Sequence, residues 1–452
     1  MTTGSRIAGL GGRVRTIVES NRSLLSNAAS MVGTAVVTSL LGAAFWWVAA
    51  HNFSKDSVGI ASAAISAMTL LGFMATVGLG TLLMGELPRI KAGHRPVINA
   101  ALLTSGSIGA ALGLAFLLLA PLASSNFDPL DQTWIAAAVF VLGVALTALT
   151  FVLDQALIGL LRGGLQLNRN IVFTVVKLVA LIPVAALIAD AGSQWIYGTW
   201  TVGIAVSLLV LVRFYRDRGT GSLAPDFRLL REMRVHAVTH HAVNIALRMP
   251  ELVLPIAVVT FLSASANASF YIAYMITSFM FFVPLSLSTV LYAVGSGESE
   301  RLANRFKLTV FVSLGFGVVS NLALLVLGTP LLEIFGSSYA SEAGDTLHIL
   351  ALDIFPSTIL SHYVALRRIE RRLASALPVI WIGALLQLGG GIAGALLGGL
   401  SGVAIGWVLG ATVEAIVMGP EVLRALRATR LNASGDPDPG EEEAELYETA
   451  PR

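Results

Sequence analysis

The segment Arg213 to Arg234, "RFYRDRGTGSLAPDFRLLREMR", interrupts an apolar chain of 452 residues close to its midpoint and carries six arginines. On both sides of it the sequence consists of long apolar runs with brief polar breaks. A helix that crosses a bilayer needs about 20 mostly apolar residues, and six such runs precede the segment while six follow it. They cover 24–49, 57–83, 98–121, 133–158, 171–189 and 195–213, then 236–261, 268–292, 307–327, 345–366, 374–396 and 402–423. Only 12% of the residues are charged and 55% are hydrophobic, whereas an ordinary soluble domain is roughly 25% charged. The pattern predicts an all-α polytopic membrane protein of about twelve transmembrane helices in two six-helix lobes.

The basic residues test this map independently, because the runs are set by hydropathy alone. Basic residues collect in loops on the cytoplasmic side of a membrane. With the N-terminus inside, 26 of the 29 Lys and Arg fall in the N-terminal tail, the even-numbered connections and the C-terminal tail. The outer connections hold Lys55 alone, and Lys177 and Arg248 remain inside runs. A wrong helix count would invert every later loop. The expected location is thus a bacterial cytoplasmic (inner) membrane, crossed many times, with both termini cytoplasmic.

Five segments follow: a basic tail over 1–23, a six-helix lobe over 24–213, a linker over 214–235, a second lobe over 236–423, and an acidic tail over 424–452 that is expected to be disordered. A faint internal repeat at an offset of 212 places Ile60-Ala61 and Ser66 on Ile272-Ala273 and Ser278. Repeated halves are how many transporters build a site near the middle of the membrane.

Ionisable groups inside spans cost about 2.5–3.5 kcal/mol on insertion scales and usually face a cavity or a partner. Asp154 and Lys177 lie on consecutive helices, equidistant from the turn between them, so an antiparallel hairpin sets them at one depth. They read either as an ion pair stitching the hairpin or as a polar lining in which Lys177 meets an anion. Arg248 is 14 residues beyond Arg234, about 20 Å along a helix. Glu251 follows at i+3, on nearly the same face, and Pro250 and Pro255 each remove a backbone donor and favour a kink. A planar guanidinium there suits phosphate oxygens; a locally neutralised pair is the other reading. Glu414 sits in the last span beside a stripe of Gly402, Gly406 and Gly410, and reads as a proton or sodium ligand or as a buried carboxyl bonded to a neighbour. His236 and His240 have a metal-compatible spacing but lack a carboxylate or thiolate to complete a shell.

Cysteine is absent. No phosphate loop, dinucleotide fingerprint, zinc helix motif or nucleophile elbow occurs, so neither a cofactor, a metal, nor nucleic acid is expected. The connections are too short for a folded catalytic domain, which points to a transporter, not an enzyme.

Four stretches carry a resemblance. "FWWVAAHNFSKDSVGIASAAISAMTLLGFMATVGLGTLL" from Phe45, "LDQALIGLLRGGLQLNRNIVFTVVKLVAL" from Leu153, "LLEIFGSSYASEAGDTLHILALDIFPS" from Leu331 and "GLSGVAIGWVLG" from Gly399 resemble the polysaccharide-transporter branch of the multidrug/oligosaccharidyl-lipid/polysaccharide (MOP) flippase superfamily. The resemblance implies a MOP/MATE-like fold and a flippase that carries a polyprenyl-pyrophosphate-linked oligosaccharide across the membrane by alternating access. Its partners would be membrane lipids, the polyprenyl-linked glycan, and a glycan polymerase and glycosyltransferases of the same pathway. On that reading Arg248 and Lys177 meet the headgroup in a cationic central cavity, with Glu251 and Asp154 as partners and Glu414 as a coupling site. A drug/cation antiporter of the MATE branch shares the size and topology but relies on deep carboxylates. A membrane-embedded polysaccharide polymerase is the remaining alternative.

Overall fold

The computed structural model describes residues 39–90, 94–130, 132–188, 190–209, 224–228, 237–293 and 299–428. The N-terminal tail, most of the linker and the acidic tail beyond 428 lie outside the described residues. The first half comprises α1 (39–52), α2 (Lys55–Ala75), α3 (Leu79–Glu86), α4 (His94–Ala123), α5 (Trp134–Gly159), α6 (Gly163–Leu187) and α7 (Ser193–Ser207). The second comprises α8 (Ala237–Phe261), α9 (Ala264–Ala293), α10 (Ser299–Glu333), α11 (Ser337–Ala351), α12 (Ile354–Ile369) and α13 (Leu373–Arg427). Among the described residues there is no strand.

Among the described residues the runs expected to span fall on helix apart from short breaks, and 24–38 of the first run lie outside the described residues. Among the described residues eight helices are each long and apolar enough to cross a membrane. The second span is α2 and α3 in sequence, broken where Val77 and Gly78 adopt positive φ. The tenth is α11 and α12, bent by 40°. The eleventh and twelfth are the two limbs of α13, which turns back on itself at Gly398 and Gly399. Large apolar side chains such as Leu118, Leu122, Val326 and Ile416 stand exposed on the outside of the bundle, as lipid-facing positions require.

The two halves share a backbone detail, at a spacing two residues shorter than the sequence repeat. α5 ends with Leu161 at φ 56° and α12 ends with Arg371 at φ 54°. The next amide in each case, Arg162 or Arg372, donates to the carbonyl five residues back, Leu157 at 2.8 Å and Arg367 at 2.9 Å. That six-to-one bond is the Schellman way of closing a helix C-terminus, and it recurs 210 residues apart.

The halves meet along α2, which packs against α8 and α9. Ile60 and Ala61 lie in one continuous buried core with their repeat counterparts Ile272 and Ala273. At the seam a Cβ on Gly59 would stand 1.7 Å from the carbonyl oxygen of Ala264, so only glycine lets α2 approach α9 this closely.

Candidate functional site

The helices of the second half enclose a cavity of about 400 Å³, and every residue lining it lies between Asn244 and Glu414. The resemblance implied a cationic cavity between two lobes; the lining of this one belongs to the second half alone. α8, α9, α12 and both limbs of α13 form this wall.

α8 brings the first charges. Arg248 and Glu251 are 3.8 Å apart on one helix face, as their spacing predicts. Glu251 is also held by Tyr274, whose hydroxyl donates to Oε2 at 2.8 Å, so its carboxylate is shared between two partners. About half of the Arg248 side chain is exposed, and its guanidinium carbon lies 5.8 Å from the centre of the Phe73 ring.

A second polar chain descends from the Tyr274 ring, which stands 5.4 Å from Trp407. The Trp407 indole N–H donates to Gln387 Oε1 at 2.9 Å. An indole nitrogen only donates, so the amide orientation of Gln387 is settled and its Nε2 donates to Glu414 Oε2 at 2.6 Å. Glu414 is 3% exposed, and its Oε1 has no hydrogen-bond partner among the described residues. It packs onto Gly383, where a Cβ would come within 2.0 Å of the carboxyl carbon.

Asp353 completes the site. It sits at the bend between α11 and α12, 5% exposed, and accepts from the Ser357 hydroxyl through Oδ2 at 2.8 Å. Its Oδ1 is buried without a partner among the described residues. Fifteen residues on, Arg368 lines the same cavity, with Nη2 at 3.4 Å from Asn244 Oδ1 and the Tyr292 ring 6.0 Å away. Three carboxylates and two guanidiniums therefore share one small volume. A buried carboxylate oxygen without a donor is costly, and two residues lining this cavity, Asp353 and Glu414, each carry one among the described residues.

Asp154 and Lys177 lie elsewhere, in the first half, and do not pair. Asp154 is gripped by Arg169 through Nε at 2.7 Å and Nη2 at 2.5 Å, and Arg169 is also bonded to Ser207 and Asn170. α6 begins at Gly163, eight residues before the expected start of its span, so Arg169 is a helix residue and reaches Asp154 first. Lys177, two turns later, is 4% exposed. Its ammonium lies over the rings of Trp200 at 3.5 Å, Phe173 at 4.7 Å and Phe45 at 5.2 Å. Neither residue lines the cavity.

Sequence reasoning overlooked Asp353, Arg368 and the Gln387–Trp407 pair. Asp353 falls inside the expected span 345–366, so the rule that singled out Glu414 also selects it. Arg368 lies two residues past that span and counts as a loop cation until α12 is seen to continue to Ile369.

No protein-family model matches the chain, and no curated protein matches it. Solved structures do. An inward-facing MATE family transporter of the MOP superfamily superposes with a TM-score of 0.66 at 14% identity, over 87% of this chain and 95% of its own. An outward-facing MATE transporter of the same superfamily gives 0.59 at 15% identity, over 90% and 97%. A MOP superfamily transporter from Pyrococcus furiosus, for which reversed polarity of the binding pocket is taken to suggest a different function, gives 0.62 at 15% identity, over 90% and 96%. At this identity the likeness shows the fold: the chain is an all-α polytopic membrane protein with the two-lobed MOP/MATE architecture.

Proposed function

We propose that the protein is a cation-coupled antiporter that moves small organic cations across a membrane by alternating access, with the second-half cavity as its transport site. The observation that carries this reading is that Asp353 and Glu414 both line one cavity, and each keeps a buried carboxylate oxygen, Oδ1 and Oε1, without a hydrogen-bond partner among the described residues. Three carboxylates against two guanidiniums leave the lining with a formal charge of −1. Such a lining favours one monovalent cation at a time. If a coupling proton or sodium ion and a cationic substrate compete for the same carboxylates, occupancy by one expels the other, and their exchange across the membrane is antiport. The aromatic faces of Tyr274 and Trp407 offer cation–π and apolar contact to an organic cation. The volume agrees, because cavities for small organic molecules run about 300–1,000 Å³.

The test is efflux of ethidium from proteoliposomes under an imposed proton or sodium gradient. Gradient-driven efflux is expected in the parent protein, with loss of at least 90% of the rate, an expected residual of roughly a tenth, in Asp353→Asn and Glu414→Gln, since one lost charge-assisted contact is worth about 1.5–3 kcal/mol. Efflux that survives both substitutions would overturn the site.

One observation favours the flippase reading: Arg248 and Arg368 line the cavity, and among the described residues no carboxylate lies within 4 Å of the Arg368 guanidinium. These two groups suit a pyrophosphate. On this reading the protein works in a bacterial inner membrane with its basic loops inside, and polyprenyl-linked glycan is the cargo. Protection of a fluorescent lipid-linked oligosaccharide in the same vesicles, lost in Arg248→Ala and Arg368→Ala, would establish it in place of the antiporter.

A further inference from the structure

The charge count leaves a single lysine, Lys55, at the end of the bundle opposite the arginine-rich loops. It sits where α2 begins, immediately after the Ser54 cap, and its partners belong to the other half. Lys55 Nζ is 2.7 Å from Glu342 Oε1 on α11, 3.4 Å from the Ser338 carbonyl oxygen, and 4.9 Å from the centre of the Tyr339 ring. Glu342 is fixed from its far side by the Ser269 hydroxyl, which donates to Oε2 at 3.0 Å.

About a turn deeper the halves join again. Asn267 Nδ2 on α9 donates to the Gly59 carbonyl oxygen at 2.7 Å and to Ser62 Oγ at 2.9 Å, both on α2. Ser62 and Asn267 are fully buried. Alongside them Gly59 lies against the Ala264 carbonyl, and Asn126 Nδ2 donates to Val259 O at 2.9 Å. All of these contacts cross from one half to the other at one end of the molecule.

We propose that Lys55 and Glu342, backed by Asn267 on Gly59 and Ser62, form a latch that closes the Lys55 end of the protein and opens once per transport cycle. The bonds suit that role. Glu342 is 45% exposed and Lys55 is 17% exposed, so the ion pair exchanges readily with water. Beneath the pair the polar links between the halves are two amides, Asn267 and Asn126, beside the backbone approach at Gly59. A contact of this kind holds a state without trapping it, which alternation between two populated conformations requires. The inference rests on movement by alternating access and on neither choice of cargo.

Because the chain has no cysteine, Ser62→Cys introduces one thiol at the buried seam. Its rate of labelling by a membrane-impermeant maleimide, measured in proteoliposomes without substrate, reads how often the Lys55 end opens. Lys55→Met and Glu342→Gln are each expected to raise the rate several-fold, and the exchange Lys55→Glu with Glu342→Lys to return it toward the parent value. Gly59→Ala, which wedges the backbone seam, is expected to raise it without touching the ion pair. Unchanged labelling in both single variants, or a rise that the exchange does not reverse, would overturn the latch. Monodisperse elution of each variant separates opening from misfolding. A failure of ethidium efflux with the labelling pattern intact would count against the antiporter and leave the latch standing.

Discussion

Lys177 holds its ammonium among Trp200, Phe173 and Phe45 and is almost entirely enclosed. A substrate anion has no access to it in this conformation. Lys177→Met replaces the amine with an apolar group of similar length inside an aromatic cage, where the cation–π term is worth about 2 kcal/mol when desolvated and the avoided burial of a charge offsets it. Transport is therefore expected to persist, with thermal stability unchanged or raised; loss of transport in a folded variant would return Lys177 to the substrate path. Asp154 behaves oppositely. Its side chain is 17% exposed and that of Arg169 5%, and removing one partner of a buried pair costs about 3–5 kcal/mol. Asp154→Asn should thus lower the midpoint of thermal unfolding sharply, and Asp154→Asn with Arg169→Leu should recover much of the loss. At this scale the sequence was readable as residue type and depth but not as pairing. Arg169 and Lys177 are both basic and eight residues apart, so the choice between them turned on where α6 begins.

Elements carry the site through two devices. α13 is a hairpin whose limbs touch backbone to backbone: a Cβ on Gly406 would lie 1.9 Å from Gly390 O, and one on Gly402 2.0 Å from Gly394 O. Small residues at spacing four allow such approach between membrane helices. This contact sets Gln387 on one limb opposite Trp407 and Glu414 on the other, so the hydrogen-bond chain depends on it. Gly406→Val is expected to cost about 1–3 kcal/mol, as overpacking does, and to abolish efflux, measured against a Gly419→Val control whose Cβ meets nothing. The glycine stripe was legible from 402, 406 and 410. Its partner surface was not, because nothing in a sequence says that consecutive spans meet through glycine faces. The second device is the break between α11 and α12 at Leu352–Asp353, which puts a carboxylate residue in the cavity lining. Bends of this kind place polar backbone where it lines a cavity, and an aspartate in an apolar stretch was the available signal.

For the whole molecule, the run count, the loop charges and the midpoint linker were enough to anticipate two similar halves. Hydropathy fixes where each helix crosses, and the charge bias checks their number. The position of the cavity was out of reach, because it depends on which faces of α8, α9, α12 and α13 meet, and those contacts join residues far apart in sequence, such as Arg368 with Asn244. The halves are joined at the Lys55 end by Lys55 with Glu342 and Asn267 with Gly59. If the halves move as bodies about α2, opening the Lys55 end must bring the arginine-rich ends together. Spin labels at Asp56→Cys and Ser338→Cys read one end, and labels at Arg89→Cys and Arg424→Cys read the other. Glu414→Gln mimics occupancy by one monovalent cation by removing one negative charge from the cavity. In that background the first distance should lengthen while the second shortens, because a neutralised cavity no longer favours the state open to a cation. Both distances changing in the same direction would show that the halves do not rock as rigid units, and neither changing would uncouple the carboxylate from the seam.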